Sequence, residues 1–165
     1  MKNLVKFGIL ISLSLSTFSC AEMMKKMDNG NASTKSVSEM NPGEKFLFDN
    51  RTKEGVKTTA SGLQYKVINE GTGRKPRSYE TVKVHYRGTL IDGTEFDSSY
   101  SRNEPISFAL SQVIAGWTEG LQIMPIGSKY MFYIPSELAY GSREVGGTIK
   151  PNSALIFEVE LLDIK

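Results

Sequence analysis

Trp117 is the only tryptophan in the chain, and it closes the run Gln112-Val113-Ile114-Ala115-Gly116-Trp117. The other side chains that could build a site are aromatic too: Tyr86, Phe96, Tyr140 and Phe157. Each falls at the end of an extended segment or the edge of a loop, and one carboxylate, Asp97, directly follows Phe96. Singly, each aromatic reads as core packing and Asp97 as a turn acid. Together they suit an apolar cleft with a few polar tips, the usual form of a site for a small ligand or a peptide. Trp117 then reads either as a core filler or as the floor of that cleft. Groups for other chemistries are lacking in the sequence, which has no phosphate-binding loop and no nucleophile–base pair. The one cysteine, Cys20, excludes an internal disulfide. The one histidine, His85, has no cysteine or second histidine beside it, so no metal and no cofactor is expected. A net charge of +2 argues against a nucleic-acid partner held by phosphate neutralisation.

The elements that must position these residues can be read from the patterning. Val113 and Ile114 favour extended backbone, Ser111 is a candidate N-cap, and a short helix is expected to run through Thr118–Gln122 and end before Pro125. A strand feeding that helix would aim free N–H groups at whatever enters the cleft. Alternation predicts strands around Leu63–Ile68, Val82–Arg87, Thr94–Asp97, Ile106–Phe108, Lys129–Ile134 and Ala154–Ile164, with a hairpin turn at Asp92-Gly93. In the second of these, Tyr86 takes the apolar face and His85 the polar one, which makes His85 a solvated strand residue rather than a catalyst. Pro135 to Pro151 is longer than a connector needs to be, which suggests function. The expected fold class is α+β: an antiparallel, strongly twisted sheet of about five strands wrapped around one short helix.

The N-terminal third reads differently. Residues 1–20 look like an export signal, with Lys2 and Lys6 ahead of an apolar stretch, Phe7 to Phe18, too short to span a bilayer. Cys20 sits where a bacterial lipoprotein signal places its acylated cysteine; ordinary cleavage near Ser19-Cys20-Ala21 is the alternative. Residues 21–41 are polar and read as a disordered tether. Residues 42–60 read as a short helix, 42–54, and linker, with Pro42 at a first helical position, Phe46, Leu47 and Phe48 as an apolar patch, and Gly55 as terminator.

Five motifs occur in one order: Val84-His85-Tyr86-Arg87-Gly88; Asp92-Gly93-Thr94-Glu95-Phe96-Asp97-Ser98-Ser99; Val113-Ile114-Ala115-Gly116-Trp117; Ala139-Tyr140-Gly141; and Leu155-Ile156-Phe157-Glu158-Val159-Glu160-Leu161-Leu162. Residues 61–165, which carry them, closely resemble the FKBP-type peptidyl-prolyl isomerases, and the segment before them is similar to the exported, Mip-like bacterial lipoprotein members. The resemblance implies an FKBP-like fold. It implies Tyr86, Asp97 and Tyr140 as catalytic residues, with Phe96, Val113, Ile114, Trp117, Ile149 and Phe157 binding substrate. Trp117 would lie under the substrate proline ring, the Ile114 N–H and the Tyr140 hydroxyl would bond substrate carbonyls, and Asp97 would sit near Tyr86 and Arg102. Three departures from the family pattern concern the rim: Ile106 replaces an aromatic, Val145 and Thr148 replace a histidine and an isoleucine, and Ala109–Gln112 is shortened.

The activity so implied is cis–trans isomerisation of Xaa–Pro bonds in exported proteins, by non-covalent binding in an aromatic pocket. The alternatives are a membrane-tethered chaperone or proline-peptide binding module with little turnover, and a purely structural lipoprotein. The implied partners are proline-containing segments of exported proteins, a macrolide such as tacrolimus or rapamycin, and a membrane reached through lipid on Cys20. The implied location is a bacterial cell membrane, facing the periplasm or the exterior. Because the long upstream helical region of Mip-like members has no counterpart in the sequence, a monomer is expected.

Overall fold

The computed structural model describes residues 35–165; Cys20, the apolar N-terminus and most of the segment read as a tether lie outside them. Within the described residues the fold is organised by two long neighbouring strands, β3 (Thr81–Leu90) and β7 (Leu155–Ile164), paired antiparallel along their whole length. Every second residue of each is buried: Val82, Val84, Tyr86 and Gly88 on β3, and Leu155, Phe157, Val159 and Leu161 on β7. This is the period of a sheet with one face toward a core. On the other side of β7 lies β6 (Lys129–Ile134), which adds Tyr130, Phe132 and Ile134 to the same face. Then come β2 (Gln64–Asn69) and, at the edge, β1 (Val56–Thr58). The free edge of β3 is divided between two short strands. β5 (Ile106–Ala109) pairs with Thr81–Val84, and β4 (Glu95–Ser98) pairs with Arg87–Thr89. Between them the chain leaves the sheet for residues 99–105.

The sheet thus has seven strands, not about five. Six are the segments marked by alternation, and the seventh is β1, whose three residues are too few to show alternation and whose pairing partner, β2, is what makes them a strand.

Helix α2 (Ala115–Leu121) packs on the core face of the sheet, and two glycines set how closely. A Cβ on Gly116 would lie 2.5 Å from Ile134 Cγ2, and one on Gly120 would lie 2.7 Å from Phe132 Cε1. Four residues apart, they form one bare stripe against β6. Its start differs from the sequence expectation. Ser111 belongs to a preceding 3-10 turn (Leu110–Gln112), and the N-cap is Ile114, which offers no side-chain cap. Val113 and Ile114 are extended, as expected, but lie in no sheet ladder.

There is a second helix, α1 (Pro42–Asn50). It opens with a reciprocal cap: Glu44 N–H donates to Asn41 Oδ1 at 2.9 Å and Asn41 N–H to Glu44 Oε2 at 2.8 Å. It ends at Asn50 rather than extending to residue 54, because Asn50 turns inward to donate to Gln64 Oε1 at 2.9 Å. Gln64 Nε2 in turn donates to Leu47 O at 2.8 Å. The helix is therefore fastened to β2 by a buried amide pair, and Phe46 packs on Tyr133 with ring centroids 6.0 Å apart.

Candidate active site

Gly88 makes the room in which a pocket forms. A side chain there would collide with Phe96 Cζ at 2.6 Å and Phe157 Cε1 at 2.8 Å, so its absence lets both rings close over the sheet. Opposite Gly88 the β3–β4 ladder shifts register between Gly88 and Thr89. Successive residues of a regular strand face opposite ways, but at such an irregularity the strand re-aims its side chains. Here Phe96 and Asp97, neighbours in the chain, line the same cavity.

The floor is Trp117, 4% exposed on the first turn of α2. Three rings meet it edge to face: Tyr86 at 5.2 Å, Phe157 at 5.3 Å and Phe108 at 5.4 Å, with interplanar angles of 81–86°. Perpendicular packing of this kind satisfies the ring quadrupoles and holds the indole in one orientation. The indole N–H is buried and has no acceptor among the described residues.

One side of the pocket is polar. The Tyr86 hydroxyl donates a short hydrogen bond to Asp97 Oδ2, and Arg102, from the excursion between β4 and β5, grips both. Its Nη1 donates to Asp97 Oδ1 at 2.7 Å and its Nη2 to the Tyr86 oxygen at 3.2 Å. Burial, reinforced by the bond to Asp97, pushes the Tyr86 hydroxyl up to about 12. Burial alone would raise Asp97, but the bonds from Arg102 and Tyr86 outweigh it and hold the carboxyl below its ordinary range. At neutral pH the wall is thus a neutral phenol, an ionised carboxylate and a guanidinium.

The opposite side comes from the long loop between β6 and β7. A 3-10 turn at Ser136–Leu138 sets Tyr140, and the loop then folds on itself. Val145 N–H donates to Ile149 O at 2.9 Å and Ile149 N–H to Val145 O at 3.1 Å. The doubled-back loop returns Ile149, 5% exposed, to the pocket beside Val145 and Thr148. Val113 and Ile114 complete a cavity of about 360 Å³. Besides the indole N–H, two further donors of residues lining the cavity have no protein acceptor among the described residues: the backbone N–H of Ile114 and the hydroxyl of Tyr140.

A family model described as FKBP-type peptidyl-prolyl cis-trans isomerase matches residues 72–162. The chain belongs to this family. A second model, described as the domain amino-terminal to the FKBP-type isomerase, matches residues 13–67. The chain is 52% identical over 142 residues to the FKBP-type peptidyl-prolyl cis-trans isomerase FkpA of Aeromonas hydrophila, covering 86% of this chain and 53% of that one. It is 53% identical over 123 residues to the outer membrane protein MIP of Legionella longbeachae, covering 74% and 53%. It thus spans about half the length of these curated relatives. A crystal structure of a peptidyl-prolyl cis-trans isomerase from Pseudomonas syringae superposes with a TM-score of 0.73 at 37% identity, covering 82% of this chain and 99% of that one.

The fold brings together every site residue singled out in the sequence except Cys20: Tyr86, Phe96, Asp97, Val113, Ile114, Trp117, Tyr140, Ile149 and Phe157 all line the cavity. Phe108, which the sequence pattern marks only as part of a strand, lines it too. The signal was available, since Phe108 pairs with Val82, a core-facing residue, and exposed Ser107 separates it from Ile106. His85 lies on the other face of β3, as its alternation required. It is half-buried rather than solvated, with Nδ1 2.9 Å from Ser99 Oγ and its ring stacked on Tyr100 at 4.7 Å.

Proposed function

We propose that this chain is a peptidyl-prolyl cis–trans isomerase acting on proline-containing segments of exported proteins. The observation that carries the reading is the aromatic box over Trp117, walled by Tyr86, Phe96, Phe108 and Phe157, with the unpaired Ile114 N–H and Tyr140 hydroxyl among its lining residues. Planarity of the Xaa–Pro amide is worth a rotational barrier of about 18–20 kcal/mol. The planar amide is the more dipolar form, and rotation weakens that dipole. An apolar enclosure therefore costs the planar ground state more than the twisted transition state, which is catalysis by differential stabilisation. The proline ring would rest on Trp117. The Ile114 N–H would hold a substrate carbonyl and so fix the chain, and the Tyr140 hydroxyl would hold the carbonyl that moves. Tyr86, Asp97 and Arg102 keep the wall in one geometry and charge state and need exchange no proton. The same enclosure would take a macrolide of the tacrolimus or rapamycin type.

Beyond the pocket, the reading extends to location. Residues 1–20 would direct export, Cys20 would be acylated, and the domain would work tethered to a membrane in the periplasm or at the cell exterior as a monomer. The likeness to an outer membrane protein supports the envelope location. A protease-free proline isomerisation assay tests the activity. Wild type accelerates exchange, and Trp117→Ala, checked for folding by near-UV circular dichroism, loses most of that acceleration. A folded wild-type protein that binds proline peptides without accelerating them would favour the chaperone alternative.

A further inference from the structure

The outward face of α2 carries a second groove. It is lined by Val113, Ala115, Thr118, Glu119, Gln122 and Ile123. From Ala115 onward these fall at i, i+3, i+4, i+7 and i+8, the spacing of a single helical face. Val113 is shared: it walls the aromatic pocket on one side and this groove on the other. The Ile114 N–H, free to take a substrate carbonyl, sits next to that shared wall. Glu119 is the one charged group in the groove. Its carboxylate accepts a 2.6 Å bond from Ser61 Oγ, which orients it, and no ion pair among the described residues involves it.

We infer that this groove is a subsite for the substrate segment that follows the proline, and that Glu119 selects a basic side chain there. The inference rests on the isomerase reading above, since it needs a proline seated on Trp117 and a carbonyl on Ile114. Reach fixes the position. Ile114 and Glu119 are five residue steps apart, about 7.5 Å along the axis at 1.5 Å per residue. An extended peptide advances about 3.3 Å per residue, so the side chain meeting Glu119 is the second or third after the proline. A lysine or arginine there would lay its methylene stem on Val113 and Ile123 and bring its charge to the carboxylate.

The test uses three peptides that differ only in carrying lysine, glutamine or glutamate at both the second and the third residue after proline. For each, kcat/KM is measured with wild type, Glu119→Gln and Glu119→Lys at low and high salt. The ratio of the lysine to the glutamate peptide is read within each variant, so a general loss of activity or folding cancels. Wild type is expected to favour lysine over glutamate by about two- to fivefold at low salt, as an exposed ion pair would. The preference should shrink at high salt. Glu119→Gln flattens it and Glu119→Lys reverses it. The same ratio in all three proteins, or a ratio indifferent to salt, overturns the subsite while leaving the isomerase reading intact. Failure of wild type to accelerate even the glutamine peptide overturns both.

Discussion

The polar wall shows how individual residues divide the work. Asp97 is held ionised by Arg102 and Tyr86, and Tyr86 is held neutral by burial and Asp97, so neither changes charge near neutrality. The rate should therefore be flat between about pH 6 and 8, where an unperturbed histidine is the only side chain that titrates. His85 faces away from the pocket and reaches it only through Ser99, whose Oγ also accepts from Tyr86 N–H at 2.8 Å. His85→Ala is expected to cost less activity than Tyr140→Phe and to leave the pH profile unchanged; a bell-shaped profile removed by that substitution would assign proton transfer to this site. Tyr140→Phe deletes one hydrogen bond and should cost on the order of 1 kcal/mol, up to about tenfold in rate. Phe96→Ala should cost more, because it opens the wall and admits water beside the amide. Steady-state kinetics order the three. Stability follows the same pair with opposite signs. The folded-state pKa of Asp97 is depressed, so its contribution is present above the unfolded carboxylate range and lost as pH falls through the folded value. That of Tyr86 is raised, so its contribution is present below the unfolded value of 10.0 and lost as pH rises toward about 12. The residues of this site were legible because they fall in motifs that resemble those of one family. That Phe96 and Asp97 line one pocket followed from the family resemblance and not from alternation, because it depends on a register shift that no alternation rule anticipates.

At the scale of elements, strands were easier to read than helix ends. Long half-buried strands such as β3 and β7 repeat their pattern several times, whereas β1 is defined only by pairing with β2. The start of α2 was misplaced because Ser111 has a capping side chain and Ile114 has none, yet the chain turns helical after Ile114. Tertiary packing decides that start: Trp117 and the bare Gly116–Gly120 stripe are drawn against β6. Gly120→Ala separates propensity from packing. In an isolated helix the change gains about 1 kcal/mol. Here the new methyl would lie 2.7 Å from the ring of Phe132, itself 1% exposed and unable to move aside cheaply. Overpacking of this order costs about 1–3 kcal/mol, so the net effect should be a loss. Urea denaturation with an unchanged m-value reads it; a stabilised variant would show that α2 is less closely seated on β6 than its glycines indicate.

For the whole molecule, the proposed anchor and the proposed catalytic domain can be tested apart. Every group assigned to the pocket lies between residues 86 and 157, and α1 is locked to the same body through Asn50 and Gln64. Nothing in the proposed chemistry needs the first 34 residues, so turnover of a soluble peptide should not depend on them. Membrane association should depend on them entirely. The net charge of the chain is only +2, too small to hold it at an anionic surface without lipid. One acyl chain gives marginal binding, and two give a stable anchor. Cys20→Ser is therefore expected to abolish labelling by a fatty-acid analogue and to move the protein from the membrane to the soluble fraction. The rate per molecule on a free peptide should stay the same. Equal labelling of wild type and variant would exclude Cys20 as the acylated residue. A variant that stays with the membrane unlabelled would mean that residues other than this cysteine carry the attachment.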